Sequence, residues 1–303
     1  MTPSRPRLTW TRAVAYALAA SGLVVLALMA VFASRWMTSF GPVQDFVRAY
    51  PGEYELPSFV KTGIPAWASW THFLNAFFLV LVIRSGLRVR GEKVAGGLWS
   101  SKRVKKRRMS LALWAHIAID VLWLVNGVVF VVLLFATGHW ARIVPTSWEV
   151  FPNALSALIQ YVSLDWPTHN GWVNYNALQQ LSYFAVTFLA APVAAVTGFR
   201  LSAFWPKGNE RLTRAFPLEW AKALHFPTML FFVAFVVVHV GLVFATGALR
   251  NLNHMYAGQD AVSWTGFWIF ALSLVAMVSG WFLVKDRVIA PIAKLFGDVR
   301  LRK

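Results

Sequence analysis

The stretch HFPTMLFFVAFVVVH, His225 to His239, decides how this chain folds. It lies inside an apolar run at roughly residues 220 to 246, and a helix needs about 20 apolar residues to cross a hydrocarbon core about 30 Å thick. Histidine is costly at membrane depth, so each of the two is a functional candidate. They stand fourteen positions apart. At about 100° per residue that is roughly 40° short of four full turns, so both imidazoles share one helix face about 21 Å apart. A single helix thus presents an imidazole near each leaflet.

The rest of the chain has the same character. Of its 303 residues 58% are hydrophobic, 16% aromatic and only 14% charged. Its mean hydropathy is +0.55, outside the usage of soluble domains. Spanning-length apolar runs recur at about residues 13–33, 64–84, 111–136, 178–199, 220–246 and 263–284. None alternates with period two, so the spans are helices that satisfy their own backbone and not strands of a barrel. The expected fold is all-α, an integral membrane bundle of six transmembrane helices forming one domain over residues 1–303. Arg5, Arg7 and Arg12 precede the first run and Val31-Phe32-Ala33 loosely suits cleavage of a signal. The run is nevertheless too long for a signal core and reads as an anchor. The absence of cysteine excludes disulfides, iron–sulfur clusters, thiolate-bound haem and covalently attached haem from this chain.

A formal net charge of +17 would suit nucleic acid if it formed one patch. It is instead dealt out to alternate connections. Between Arg84 and Arg108 lie ten basic residues, Lys105 and Lys106 among them, against the single acid Glu92. The amino terminus, the connection from Arg200 to Lys222 and the tail from Lys285 are basic too, whereas segments 34–63, 137–177 and 247–262 are balanced or acidic. This is the positive-inside pattern of an even number of helices with both termini in the cytoplasm, its basic connections meeting membrane lipids and not nucleic acid. Pro152 to Val162 reads as a short helix lying on the membrane, and FATG closes both the third span (Phe135–Gly138) and the fifth (Phe244–Gly247), with glycine stopping each helix.

Four histidines fall inside predicted spans: His72, His116, His225 and His239. A pure electron-carrying haem b takes neutral imidazole on both axial sites, so each histidine of the fifth span needs a partner at its own depth. The second span enters from outside and puts His72 level with His239. The third enters from inside and puts His116 level with His225. The expectation is two bis-histidine haems stacked across the bilayer. An isolated intramembrane histidine also serves as an interhelical hydrogen bonder or a proton carrier; four with matching depths favour haem.

Asn75, one turn from His72, and Asp120, one turn from His116, are candidates to orient an imidazole or bind a propionate-linked water. Asp120 has a second reading in proton delivery to quinone. Pro227 is expected to kink its helix beside His225. Gly86, Gly127, Gly198 and Gly241 suit either close approach of a porphyrin or plain helix packing. Arg84, Arg88 and Arg200, at inner helix ends, suit haem propionates or lipid phosphate. His139, His169 and His254, with Glu149, Asp165 and Asp260, form a candidate outer site for quinol.

WTHFLNAFFLVLVIRSGL (Trp70–Leu87), LWAHIAIDVLWLVNG around His116, and the His225–His239 run together resemble the membrane cytochrome b subunits of bacterial respiratory enzymes. That superfamily takes in bacterial b561-type cytochromes, nickel–iron hydrogenase cytochrome b and the formate dehydrogenase gamma subunit. The resemblance covers about residues 64–284 and implies a four-helix haem-binding core, with the span at 13–33 as an extra helix. It carries the haem-ligand roles onto His72, His116, His225 and His239. It also implies a dihaem b-type cytochrome passing electrons between the quinone pool and an oxidoreductase partner subunit, such as a molybdopterin oxidoreductase, hydrogenase or dehydrogenase. The chain would then be an electron-transfer subunit and not a stand-alone enzyme. The extra first span runs the first core helix inward, so neither face is assigned to partner or quinone. Two alternatives stay open: a haem-free proton-coupled transporter using the intramembrane His and Asp residues, and an anchor with single or vestigial haem occupancy.

Overall fold

A computed structural model describes residues 9–104, 107–166, 171–206 and 208–302. Among them six helices are long and apolar enough to cross a membrane. They are α1 (Trp10–Met37), α3 (Ala66–Gly91), α4 (Leu111–Ala136), the span Ala177–Leu201, α9 (Leu218–Ala245) and α11 (Thr265–Leu283). The span Ala177–Leu201 is α6 (Ala177–Phe184) and α7 (Ala191–Leu201), joined without a break by a π-helical turn at Ala185–Ala190.

Local chemistry sets the helix ends. Ser110 Oγ accepts from the Leu113 N–H at the start of α4, and Asn176 with Gln179 forms a capping box at the start of α6. Gly138 and Gly247, closing the two FATG stretches, have φ of +77° and +123°, a region that favours glycine. Helix α9 runs unbroken through Pro227 for 28 residues.

Helices α3 and α4 pack along their length, α7 packs on α9, and α11 lies against α3. Trp123 Nε1 donates to Asn75 Oδ1 (2.7 Å) and Asn126 Nδ2 to the Thr71 carbonyl (3.0 Å), fastening α4 to α3 inside the bundle. Helix α1 stands apart. Only Ser34 on it is buried, and it is tied to α5 (Val150–Val162) by Ser34 Oγ donating to the Ile159 carbonyl and Arg35 Nε to the Ser163 carbonyl.

At the basic end, here the inner end, a three-stranded antiparallel sheet has the order β2 (Arg108–Ser110), β1 (Gly97–Ser101), β3 (Gly297–Leu301). Trp99 of β1 faces Met109 and Val299 across the two ladders. Its core is completed by Leu111 and Ala115 of α4 and by Ile289, Ala290 and Ala293 of α12 (Asp286–Lys294). The all-α reading had no place for this small sheet, which adds to the helical fold without altering it.

At the outer end, α2 (Gly41–Ala49), a 3₁₀ turn at His139–Arg142, α5, α10 (Ala248–Leu252) and a π turn at Asn253–Ala257 lie in the outer connections. Arg142 is buried there and donates to the carbonyls of Gly63 and Gly171, each at 2.6 Å. The inner sheet and the bonds joining the outer connections place successive connections at alternate ends, as six crossings require. The remaining helix, α8 (Glu210–Ala215), belongs to the inner connection before α9.

Candidate haem site

The four intramembrane histidines meet in two pairs. Ring centres of His72 on α3 and His239 on α9 are 6.3 Å apart, and those of His116 on α4 and His225 on α9 are 6.4 Å apart. Metal–imidazole bonds measure about 2.0–2.1 Å and a ring centre lies roughly 1 Å behind the ligating nitrogen, so a metal held between two imidazoles separates ring centres by about 6 Å. Both pairs are therefore spaced so that they could hold a metal such as haem iron.

The surroundings of the outer pair are unlike those of an ordinary hydrogen bonder. The buried Nδ1 of His72 has no hydrogen-bond partner among the described residues; an interhelical hydrogen bonder would have one. Phe235 stacks parallel on His239, with ring centres 5.5 Å apart, and Tyr183 meets the same ring edge-on at 6.0 Å. Tyr256, in the outer π turn, meets His72 edge-on at 6.1 Å. Such π turns occur often at functional sites.

The inner pair is held differently. Ser85 Oγ lies 2.9 Å from His116 Nδ1, and Thr197 Oγ1 lies 2.9 Å from His225 Nδ1. The residue after each hydroxyl is a glycine facing the same ring: a Cβ on Gly86 would stand 3.1 Å from His116 Cε1, and one on Gly198 3.3 Å from His225 Cε1. Glycine is needed at both places for the ring to come so near the helix. At Gly127 and Gly241 an added Cβ would meet nothing within 4 Å.

Asp120 Oδ2 is 3.5 Å from His116 Nε2, beside the inner pair. Asn75 is taken up by Trp123 and not by His72. Arg84 donates to the Val284 carbonyl, Arg88 pairs with Asp286 at 2.6 Å, and Arg200 Nε donates to the Phe216 carbonyl at 2.7 Å. All three arginines are thus engaged by protein groups at the inner end. The described outer candidates do not gather into one cluster, although two of them meet. His254 Nε2 is 2.8 Å from Asp260 Oδ1, with Trp172 against its ring. His139 sits apart beside Thr137 and Trp67. Glu149 starts α5, Asp165 lies in the exposed segment after it, and His169 falls outside the described residues. Ser85 and Thr197 escaped the sequence reading. Their signal is the shared pattern SGLR (Ser85–Arg88) and TGFR (Thr197–Arg200).

The family model described as Prokaryotic cytochrome b561 matches residues 63–258, a range containing α3, α4, the α6–α7 span and α9 with all four histidines. The chain belongs to the prokaryotic cytochrome b561 family. It is accordingly a multi-pass bacterial membrane protein that binds haem b and transfers electrons, and the haem-free transporter reading is set aside. Helices α1 and α11 lie outside the matched range. The chain is 29% identical over 183 residues to the putative protein-methionine-sulfoxide reductase subunit YedZ1 of Azospira oryzae, covering 59% of this chain and 88% of that one. No solved structure matches it.

Proposed function

We propose that this cytochrome b561 protein holds two haems b, one between His72 and His239 and one between His116 and His225, and carries electrons across the membrane between the quinone pool and an oxidoreductase partner subunit. One observation carries the reading: α9 offers two histidines on one face, and each meets a second histidine at the spacing that axial ligation needs. Haem b supplies one-electron transfer when bound. The chain's own residues hold and orient it. The four imidazoles bind, Phe235 and Tyr183 close over His239, and Ser85 with Gly86 and Thr197 with Gly198 position the inner rings. Asp120, and Arg84, Arg88 and Arg200 at the inner end, stay assigned to the surroundings of the inner haem, and Asn75 to those of the outer one.

The quinone part is supported by an apolar groove of about 400 Å³ lined by Leu181 and Ala185 from one span and by Phe231 and Phe235 from α9. Its lining thus includes the ring stacked against His239. The partner part is supported by the relative from Azospira, which is named as a subunit of a reductase. Both termini are assigned to the cytoplasm from the charge of the connections.

The test is a dithionite-reduced-minus-oxidised spectrum with pyridine haemochrome quantitation on purified protein, repeated on His72→Ala and His116→Ala. Two haems per chain, one lost in each variant, is the expected result. One haem in the wild-type protein, or both haems retained in either variant, contradicts it.

A further inference from the structure

The inner histidine pair is built twice over from one sequence pattern. SGLR ends α3 and TGFR ends α7, each followed by an inner connection and a helix that carries an inner histidine. His116 stands nineteen residues before Phe135 of the first FATG, and His225 nineteen residues before Phe244 of the second. Both helices run from the inner to the outer end, so equal spacing from equivalent stops sets the two imidazoles at one depth. The hydroxyls match as well, each 2.9 Å from the Nδ1 of the histidine facing it.

The remaining contacts of these hydroxyls orient the bonds. Ser85 Oγ donates to the Val82 carbonyl at 3.1 Å, and Thr197 Oγ1 to the Val193 carbonyl at 2.6 Å, with the Ala194 carbonyl at 3.2 Å. A hydroxyl has one hydrogen and two lone pairs, and a carbonyl only accepts. With that hydrogen spent on the helix, the contact to the imidazole is a hydrogen bond only if the ring donates. A neutral imidazole donating from Nδ1 carries its lone pair on Nε2.

We propose that Ser85 and Thr197 are matched positioning residues. Each accepts from Nδ1–H of its facing imidazole, His116 or His225, and so fixes the tautomer whose bare Nε2 ligates iron. The proposal rests on the reading of these histidines as ligands of an inner haem. The outer side differs at His72, whose Nδ1 lacks a hydrogen-bond partner among the described residues. The two haems would then differ in how firmly their ligands are held. Outer partners of metal-bound histidines are typically worth about 10- to 100-fold in affinity.

Ser85→Ala and Thr197→Val, made singly and together, test this in the purified full chain, with Ser85→Thr and Thr197→Ser as conservative partners. The readouts are haem per chain, the rate of haem transfer to excess apomyoglobin, and the low-spin electron paramagnetic resonance of the two haems. Each single variant should speed loss of the inner haem about 10-fold or more, shift only that haem's resonance, and leave the outer haem as the internal measure of an intact fold. The two sides should give similar effects, and the conservative variants should restore wild-type behaviour. Unchanged loss rate and resonance in both single variants would overturn the assignment of the hydroxyls. A wild-type protein lacking the inner haem would instead overturn the ligand reading beneath it.

Discussion

Adding one methyl group at Gly86 or Gly198 probes the inner site most sharply. Carbon atoms pack best at about 3.5–4.0 Å, whereas the new Cβ atoms would stand 3.1 Å and 3.3 Å from the imidazoles of His116 and His225. In Gly86→Ala the ring must retreat by about 0.4 Å or more, and in Gly198→Ala by about 0.2 Å. Neither ring yields freely, because each Nδ1 lies 2.9 Å from a hydroxyl and, under the proposed ligation, each Nε2 would hold the metal. Overpacking of this kind costs about 1–3 kcal/mol, equivalent to about 5- to 150-fold in retention of the inner haem. Helix preference acts oppositely, favouring alanine over glycine by about 0.5–1 kcal/mol with or without haem. The two effects separate in experiment: haem-free Gly86→Ala should melt no lower than the wild-type apoprotein, while its inner haem passes to apomyoglobin faster. Gly198→Ala should show the smaller change. Gly127→Ala and Gly241→Ala, where the added atom meets no protein within 4 Å, serve as comparisons, and haem loss there would report a porphyrin lying on those helices. Wild-type retention and spectrum in Gly86→Ala would refute the reasoning.

Other expectations follow from the outer end and from α1. Arg142→Gln leaves the carbonyls of Gly63 and Gly171 without their charged donor and should cost about 1.5–3 kcal/mol; a melt in detergent matching that of the wild type would contradict this. His139 is held below its ordinary range first by partial burial, with the Thr137 backbone opposing and Arg142 and Lys61 adding to the lowering. The unfolded chain then takes up a proton near pH 6.5 that the fold resists. Stability should therefore drop as pH falls from about 6.5 toward the folded value and level off below it. His139→Gln should flatten that part of a stability-against-pH curve, and an unaltered slope would count against it. Replacing residues 1–38 by a cleavable secretory leader should leave haem content unchanged, because α1 carries none of the candidate haem ligands and is tied to α5 through Ser34 and Arg35; loss of either haem would show that α1 shapes the core.

By itself the sequence determined the membrane class, the six crossings, the alternation of basic connections and the four histidines with their pairing. These depend on local quantities: a run length measured against a bilayer, a charge count per connection, a helical angle over fourteen residues. Span ends were less legible. The second span, expected at about 64–84, forms a helix over Ala66–Gly91, because backbone hydrogen bonding continues past the last apolar residue while Arg84, Arg88 and Arg90 find partners in Val284, Asp286 and Phe226. Only the tertiary structure decided what depends on distant partners. Trp99 joins Val299 in a sheet whose strands are far too short to show themselves alone. Asn75 turns to Trp123, and His139 and His254 take separate partners in Thr137 and Asp260. Ser85 and Thr197 were illegible because each hydroxyl bonds to a carbonyl of its own helix, and its lone pairs find a partner only when another helix brings an imidazole within 2.9 Å.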